Sequence, residues 1–242
     1  MVCLPATANH DNDDNKEERR KNSYSHSFGL DFGFNNYMQD FQFPGASNEQ
    51  YAVKPWGSWY AAITSTHINQ ISGPLHLQFG ADISWYNFKF EDKFTRVSAD
   101  DAGVTFFEAG APTIVDPIKS KLSASYFNLS LVPTFVFGKK NYNNGGFNLF
   151  DLGHDSGFRI GAGAYVGYNL ADYTKVVWED ENNDKQKQRD TGNFYVNNWR
   201  YGVKVILGVN DVDFFINYDL NPLFAENRGP QLNAVSFGLS LL

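Results

Sequence analysis

The stretch Leu232–Leu242, LNAVSFGLSLL, sets Val235, Phe237, Leu239 and Leu241 on one side of an extended chain and Ser236, Gly238 and Ser240 on the other. A strict period of two marks a β-strand with two chemically different faces. The reading turns on which medium the apolar face meets. Seven upstream segments repeat the pattern: SFGLDFGFN (27–35), PWGSWYAAITST (55–66), PLHLQFGADISWYNFKF (74–90), SYFNLSLVPTFVF (125–137), GFRIGAGAYVGY (157–168), WRYGVKVILG (199–208) and VDFFINYDL (212–220). Helical periodicity is absent, and glycine inside most of the runs disfavours helices.

Eight alternating segments suit two architectures. A soluble sandwich or ligand-binding barrel turns its apolar face inward. A membrane barrel turns it outward to lipid. The opposite face decides between them. It carries Gly, Ser, Thr and a few charges with almost no Lys or Glu, whereas a water-facing surface is rich in both. A narrow lumen wants small residues and a few mutually paired charges. Aromatic residues gather near segment ends (Trp56, Trp59, Trp85, Tyr86, Tyr168, Trp199, Tyr201, Tyr218), as in the interfacial girdles of membrane barrels. The expected fold is therefore all-β: an eight-stranded, antiparallel, up-and-down transmembrane barrel over residues 24–242.

Composition bounds this expectation. The chain has 242 residues, a formal charge of -7, 22 Phe, 13 Tyr and a single Cys. A barrel of this length is one domain. An acidic chain without a basic stripe argues against nucleic acid. One cysteine excludes an intramolecular disulfide and a CxxC metal site, and no run reaches the roughly 18 apolar residues of a membrane helix. Residues 1–8, MVCLPATA, end in the small-x-small signature Ala6-Thr7-Ala8 and read as a signal-peptide remnant. Residues 9–23 are charged and nearly free of apolar side chains, as an unfolded leader would be.

Strand parity divides the residues into sets. Phe32, Leu77, Phe79, Leu129, Val203, Ile216 and Phe237 should face lipid. Phe237, Leu239 and Leu241 form the C-terminal strand signal that outer-membrane assembly machinery captures. Asp31, Asp82, Arg159, Arg200, Lys204, Asp213 and Asp219 should form a charge network in the lumen. Counting back from a turn at Asn210 and Asp211 sets Arg200 opposite or diagonal to Asp219 and Lys204 near Asn217. Asp31 and Asp82 are the further candidates for Lys204, and Asp213 for Arg159, reached across the lumen. Tyr60, Tyr86, Tyr126, Tyr165 and Phe215 should obstruct the axis. Segments 35–54, 91–119, 169–197 and 221–230 become outer loops, with 67–73, 138–156 and 209–211 on the periplasmic side.

No catalytic or metal-binding set emerges. His10 falls in the leader. His26, His67, His76 and His154 fall at the periplasmic end, away from the outer rim where barrel enzymes keep their sites, and a nucleophile needs a base within hydrogen-bond reach. The acidic run EDENNDKQKQRD (179–190) lacks the ligand spacing of a calcium loop. No cofactor is expected.

The segments RIGAGAYVGYNL (159–170), NNWRYGVKVILGV (197–209) and FFINYDLNPLFAENRGPQLNAVSFGLSLL (214–242) resemble the small outer-membrane β-barrel families of the OmpX-like and PorT-like kind. The resemblance covers most of residues 24–242 and is strongest from Gly157 onward. It implies an outer-membrane, multi-pass barrel without an inherited catalytic motif. Such families include adhesion, defence and secretion-associated proteins. The implied role is a structural or interaction subunit of the envelope, with membrane lipid, the assembly machinery and other envelope proteins as partners. Leu242 departs from the aromatic final residue usual there. A narrow, porin-like channel for small solutes is the alternative role, and a soluble ligand-binding barrel the second.

Overall fold

The computed structural model describes residues 24–45, 49–109, 116–138, 157–180, 182–209 and 212–241. The strands are β1 (Tyr24–Met38), β2 (Trp59–Ser72), β3 (Leu75–Lys89), β4 (Thr95–Asp100), β5 (Gly103–Glu108), β6 (Asp116–Gly138), β7 (Gly157–Glu179), β8 (Lys185–Asp190), β9 (Trp199–Val209), β10 (Val212–Asp219) and β11 (Asn233–Leu241). Each of the eight alternating segments lies within or overlaps one of the longer strands. Among the described residues there is no helix.

Pairing runs β6-β3-β2-β1-β11-β10-β9-β7, and a further antiparallel ladder joins β6 to β7. The eight strands therefore form a closed antiparallel ring. The opening stretch closes it: β11 pairs with β10 on one side and with β1 on the other, with Phe237 opposite both Ile216 and Phe34. Closure removes the unpaired N–H and C=O groups that a sheet edge would present.

Alternation fixes what each face carries. In β9 the sequence WRYGVKVILGV leaves Tyr201, Val203 and Leu207 exposed while Arg200, Gly202, Ile206 and Gly208 are buried. Asp213, Phe215, Asn217 and Asp219 are buried in β10 and Val212, Phe214 and Ile216 exposed. The usual arrangement of a soluble domain is thus inverted.

Strands β6 and β7 each run for 23 residues, whereas crossing a bilayer takes about 9–11 tilted residues. Their excess rises beyond the ring on one side. There the register of β7 against β6 shifts between Ser125 and Tyr126, a bulge of the kind that bends a strand. Short β8 pairs with the outer part of β7, from Thr174↔Asp190 to Glu179↔Lys185. Strands β4 and β5 form a separate hairpin. Segments 91–119 and 169–197, expected as loops, therefore hold β4, β5, β8 and the outer ends of β6 and β7. The turn at Asn210 and Asp211, most of segment 138–156, His10, His154 and both N-terminal segments lie outside the described residues.

Candidate functional site

Two buried ion pairs organise the interior. The Arg159 Nε and Nη2 groups donate to Asp213 Oδ1 at 3.0 and 2.6 Å. The Arg200 Nε and Nη2 groups donate to Asp219 Oδ1 at 3.1 and 2.5 Å. Arg200 is diagonal to Asp219, because the ladder pairs Gly202 with Asp219. Its guanidinium also donates to the hydroxyls of Tyr86 at 2.8 Å and Tyr165 at 3.0 Å. It lies 4.4, 4.7 and 5.1 Å from the ring centres of Tyr86, Tyr126 and Tyr165. The Tyr165 hydroxyl in turn donates to Asp219. A buried cation is tolerable only when paired and hydrogen-bonded, and cation–π contact adds to its stabilisation.

The remaining charges are spread more loosely. Lys204 stands opposite Asn217 in the ladder, with Nζ 5.9 Å from the centre of the Phe215 ring. Asp82 accepts from Asn128 Nδ2 at 2.5 Å, and Asp31 faces Ser240 across the β1–β11 ladder. Among the described residues neither carboxylate forms the expected ion pair with Lys204.

The axis is filled. Tyr60, Tyr86, Tyr126, Tyr165 and Phe215 are all buried. Tyr60 meets Tyr86 edge-on at 5.0 Å between ring centres and Phe215 at 5.3 Å. Space for only about 10 Å³ remains between Tyr60, Asp82, Tyr86, Asn128, Arg200 and Lys204, about enough for one water.

A second closure was not legible in the sequence. Beyond the lumen rings, a continuous apolar cluster joins Tyr37, Tyr51, Val53, Phe88, Phe90, Val104, Leu122, Phe194, Val196, Leu223, Phe224 and Leu232. It forms a cap, built mostly from segments 35–54, 91–119, 169–197 and 221–230, expected as outer loops, together with Phe88, Phe90, Leu122 and Leu232 at or beside strand ends. Phe106 of β5 packs edge-on against Phe90 and Phe224 at 5.7 and 5.9 Å. The β4–β5 hairpin is fastened by the Val104 amide, which donates to the Arg228 carbonyl at 2.7 Å. Neighbouring Gly103 has φ +137°, and a Cβ there would sit 2.6 Å from the same carbonyl; only glycine meets both demands. Burial, and then Glu49, pushes the Tyr51 hydroxyl up to about 12. The signal that could have found the cap is the short alternation of Val97 and Ala99 with Val104 and Phe106 around the turn ADDAG.

The outer wall is apolar around the ring. Phe32, Phe79, Leu129, Val203, Ile216 and Phe237 are exposed, from 57% at Phe32 to 37% at Phe237, and Leu77 is half-buried. Leu239 and Leu241 are exposed on the same face of β11. Trp59, Trp85, Tyr168 and Trp199 are exposed towards the capped end. His26 and His67 stack at 4.2 Å on the wall, at the opposite end from the cap. His76 is buried beside the β2–β3 turn, its Nδ1 3.0 Å from the Pro74 carbonyl. Asp180, in the acidic run, closes the β7–β8 turn by accepting from the Asn182 and Asp184 amides at 2.9 and 3.0 Å and from Gln186 Nε2 at 2.9 Å. Among the described residues no group of three metal-ligating side chains occurs.

These features define a class: a closed eight-stranded β-barrel with an ion-paired, filled interior, a capped mouth and an apolar outer wall. No protein-family model matches the chain. No curated protein matches it. Among solved structures it is similar to Ail, the attachment invasion locus protein of Yersinia pestis, solved with the heparin analogue sucrose octasulfate, at 7% identity over 90% of this chain and 96% of that one, with a TM-score of 0.32.

Proposed function

We propose that the protein is an integral outer-membrane barrel of a Gram-negative-type envelope, acting without catalysis as a structural or interaction subunit. The observation that carries this reading is the inverted polarity: charged pairs buried inside, and Phe32, Leu129, Val203 and their neighbours exposed outside. In water such a wall would be a large apolar patch. In hydrocarbon it is the favourable surface, and closure leaves none of the eight ring strands as an open edge. The partners are then membrane lipid, the assembly machinery acting on Phe237, Leu239 and Leu241 of β11, and other envelope proteins meeting the capped end. A filled axis favours this role over solute conduction. The OmpX-like and PorT-like resemblance agrees with it.

Arg or Lys at the bilayer midplane costs about 2–4 kcal/mol on the lipid face of a barrel. Val203→Arg should therefore reduce the folded, heat-modifiable form in the outer-membrane fraction, whereas Asn182→Arg in the β7–β8 turn should not. Recovery of wild-type protein in the soluble fraction would refute the reading. Affinity purification from mild detergent with mass spectrometry would identify the partner.

A further inference from the structure

The wall carries one strongly basic patch. Across the sheet above the aromatic belt, Lys89 of β3 faces Lys121 of β6, Lys121 faces Lys175 of β7, and Lys175 faces Arg189 of β8. Directly paired residues share a face. Four adjacent strands therefore present one row of four cations, about 14 Å long at ~4.8 Å per strand. The row is on the outward face: its neighbours Phe88, Leu122 and Thr174 are buried inward, while Arg189 is exposed and the three lysines half-exposed.

Like charges directly opposite one another destabilise a sheet. Among the described residues none of the four stands in an ion pair with a carboxylate. Lys121 is held instead by Asn87 and by the ring of Tyr173 at 5.4 Å, and Arg189 lies over the same ring at 3.8 Å. Burial, then the charges of Lys54, Lys119 and Lys93, pushes Lys89 below the usual lysine range. The acids Asp116 and Glu179 stand further out, at the tip of the same strands. In a chain of net charge -7, this concentration calls for an external anion.

The position of the row selects the anion. Lys121 Nζ is 5.8 Å from the centre of the Trp59 ring, and Trp59 and Trp85 belong to the wall immediately below. A mostly apolar cleft of about 410 Å³, lined by Phe43, Val53, Pro55, Trp56 and Phe237 and by the acid Glu91, flanks Lys54, whose amide bonds to the Lys89 carbonyl at 2.8 Å. We propose that Lys89, Lys121, Lys175 and Arg189 bind the headgroup of a multiply phosphorylated outer-leaflet lipid whose acyl chains lie against this wall. The proposal rests on the membrane reading above.

The test uses the full chain in phosphatidylcholine nanodiscs doped with lipid A, in its bis-phosphorylated, mono-phosphorylated and dephosphorylated forms, with co-purifying lipid quantified by mass spectrometry. Retention should fall with each phosphate removed. Glutamine at the four positions should weaken it about five-fold per charge removed, with heat-modifiability unchanged. Lys204→Gln, which lies inside, should leave it unchanged. Equal retention of the three lipids by wild-type protein overturns the headgroup site, even if every variant misfolds. Displacement of the lipid by soluble polyphosphate at equal phosphate concentration also overturns it, in favour of a soluble polyanion site. Failure of wild-type protein to enter the discs overturns the membrane reading and the proposal together.

Discussion

Gly208 shows how tightly the lumen is composed. A methyl group there would run into Asp213 Oδ1 and stand 2.5 Å from Arg159 Nε, so the glycine is the space that the ion pair occupies. Gly202 gives the same room to the Tyr165 hydroxyl. The pairs are correspondingly sensitive. Removing one member of a buried pair typically costs about 3–5 kcal/mol, because the other charge is left stranded, while replacing both by apolar residues is often neutral. Asp219→Ala should therefore lower the urea midpoint of the reconstituted barrel substantially, and Arg200→Met with Asp219→Leu should regain most of the loss. A single variant unfolding at the wild-type midpoint would remove the pair from the stabilising interactions. The Arg200–Asp219 pairing could be anticipated because parity and turn position fix register in an antiparallel sheet; Arg159, expected to reach Asp213 across the lumen, instead meets it along the sheet over Gly208 of the strand between them. The enclosure of Arg200 by Tyr86, Tyr126 and Tyr165 could not be anticipated. Which residues meet across a lumen depends on strand tilt and stagger, which no local pattern encodes.

Among the elements, β8 marks the limit of periodicity. Lys185, Gln186, Lys187, Gln188, Arg189 and Asp190 are polar on both faces and give no period-two signal. The strand forms because the overlong β7 offers an open edge beside it. Asp180 holds the connection, and its hydrogen bonds to Gln186 and to the Asp184 and Asn182 amides keep its carboxyl below the usual 3.8. A lowered folded-state value means that the stabilisation is present above the unfolded value and disappears as pH falls through the folded one. The protection factors of the Asn182 and Asp184 amides against exchange should accordingly fall on acidification below that range. Asp180→Ala should make both amides exchange quickly at neutral pH and abolish the acid transition. Unchanged exchange in that variant would show that the turn is held by its backbone alone.

For the whole molecule, the eight strands and their inside-out polarity were legible because each wall segment alternates over many residues. The cap was not. Its members Tyr51, Phe90, Phe194 and Phe224 come from separated connections whose packing partners are distant in sequence. Lumen rings and cap form two seals in series, so planar-bilayer recording of the purified protein should show no reproducible openings. Stable, ion-selective steps would mean that a wet path persists past Tyr60 and Phe215. The hairpin's attachment to Arg228 has a consequence for biogenesis. Val104 emerges from the ribosome more than a hundred residues before its acceptor carbonyl, and Leu232 borders the strand that completes the ring. Until that last strand docks, Phe90, Val104 and Phe106 lack their final neighbours. The cap thus acts as a receipt for finished assembly, and proteolytic resistance of the β4–β5 hairpin should appear no earlier than circular closure.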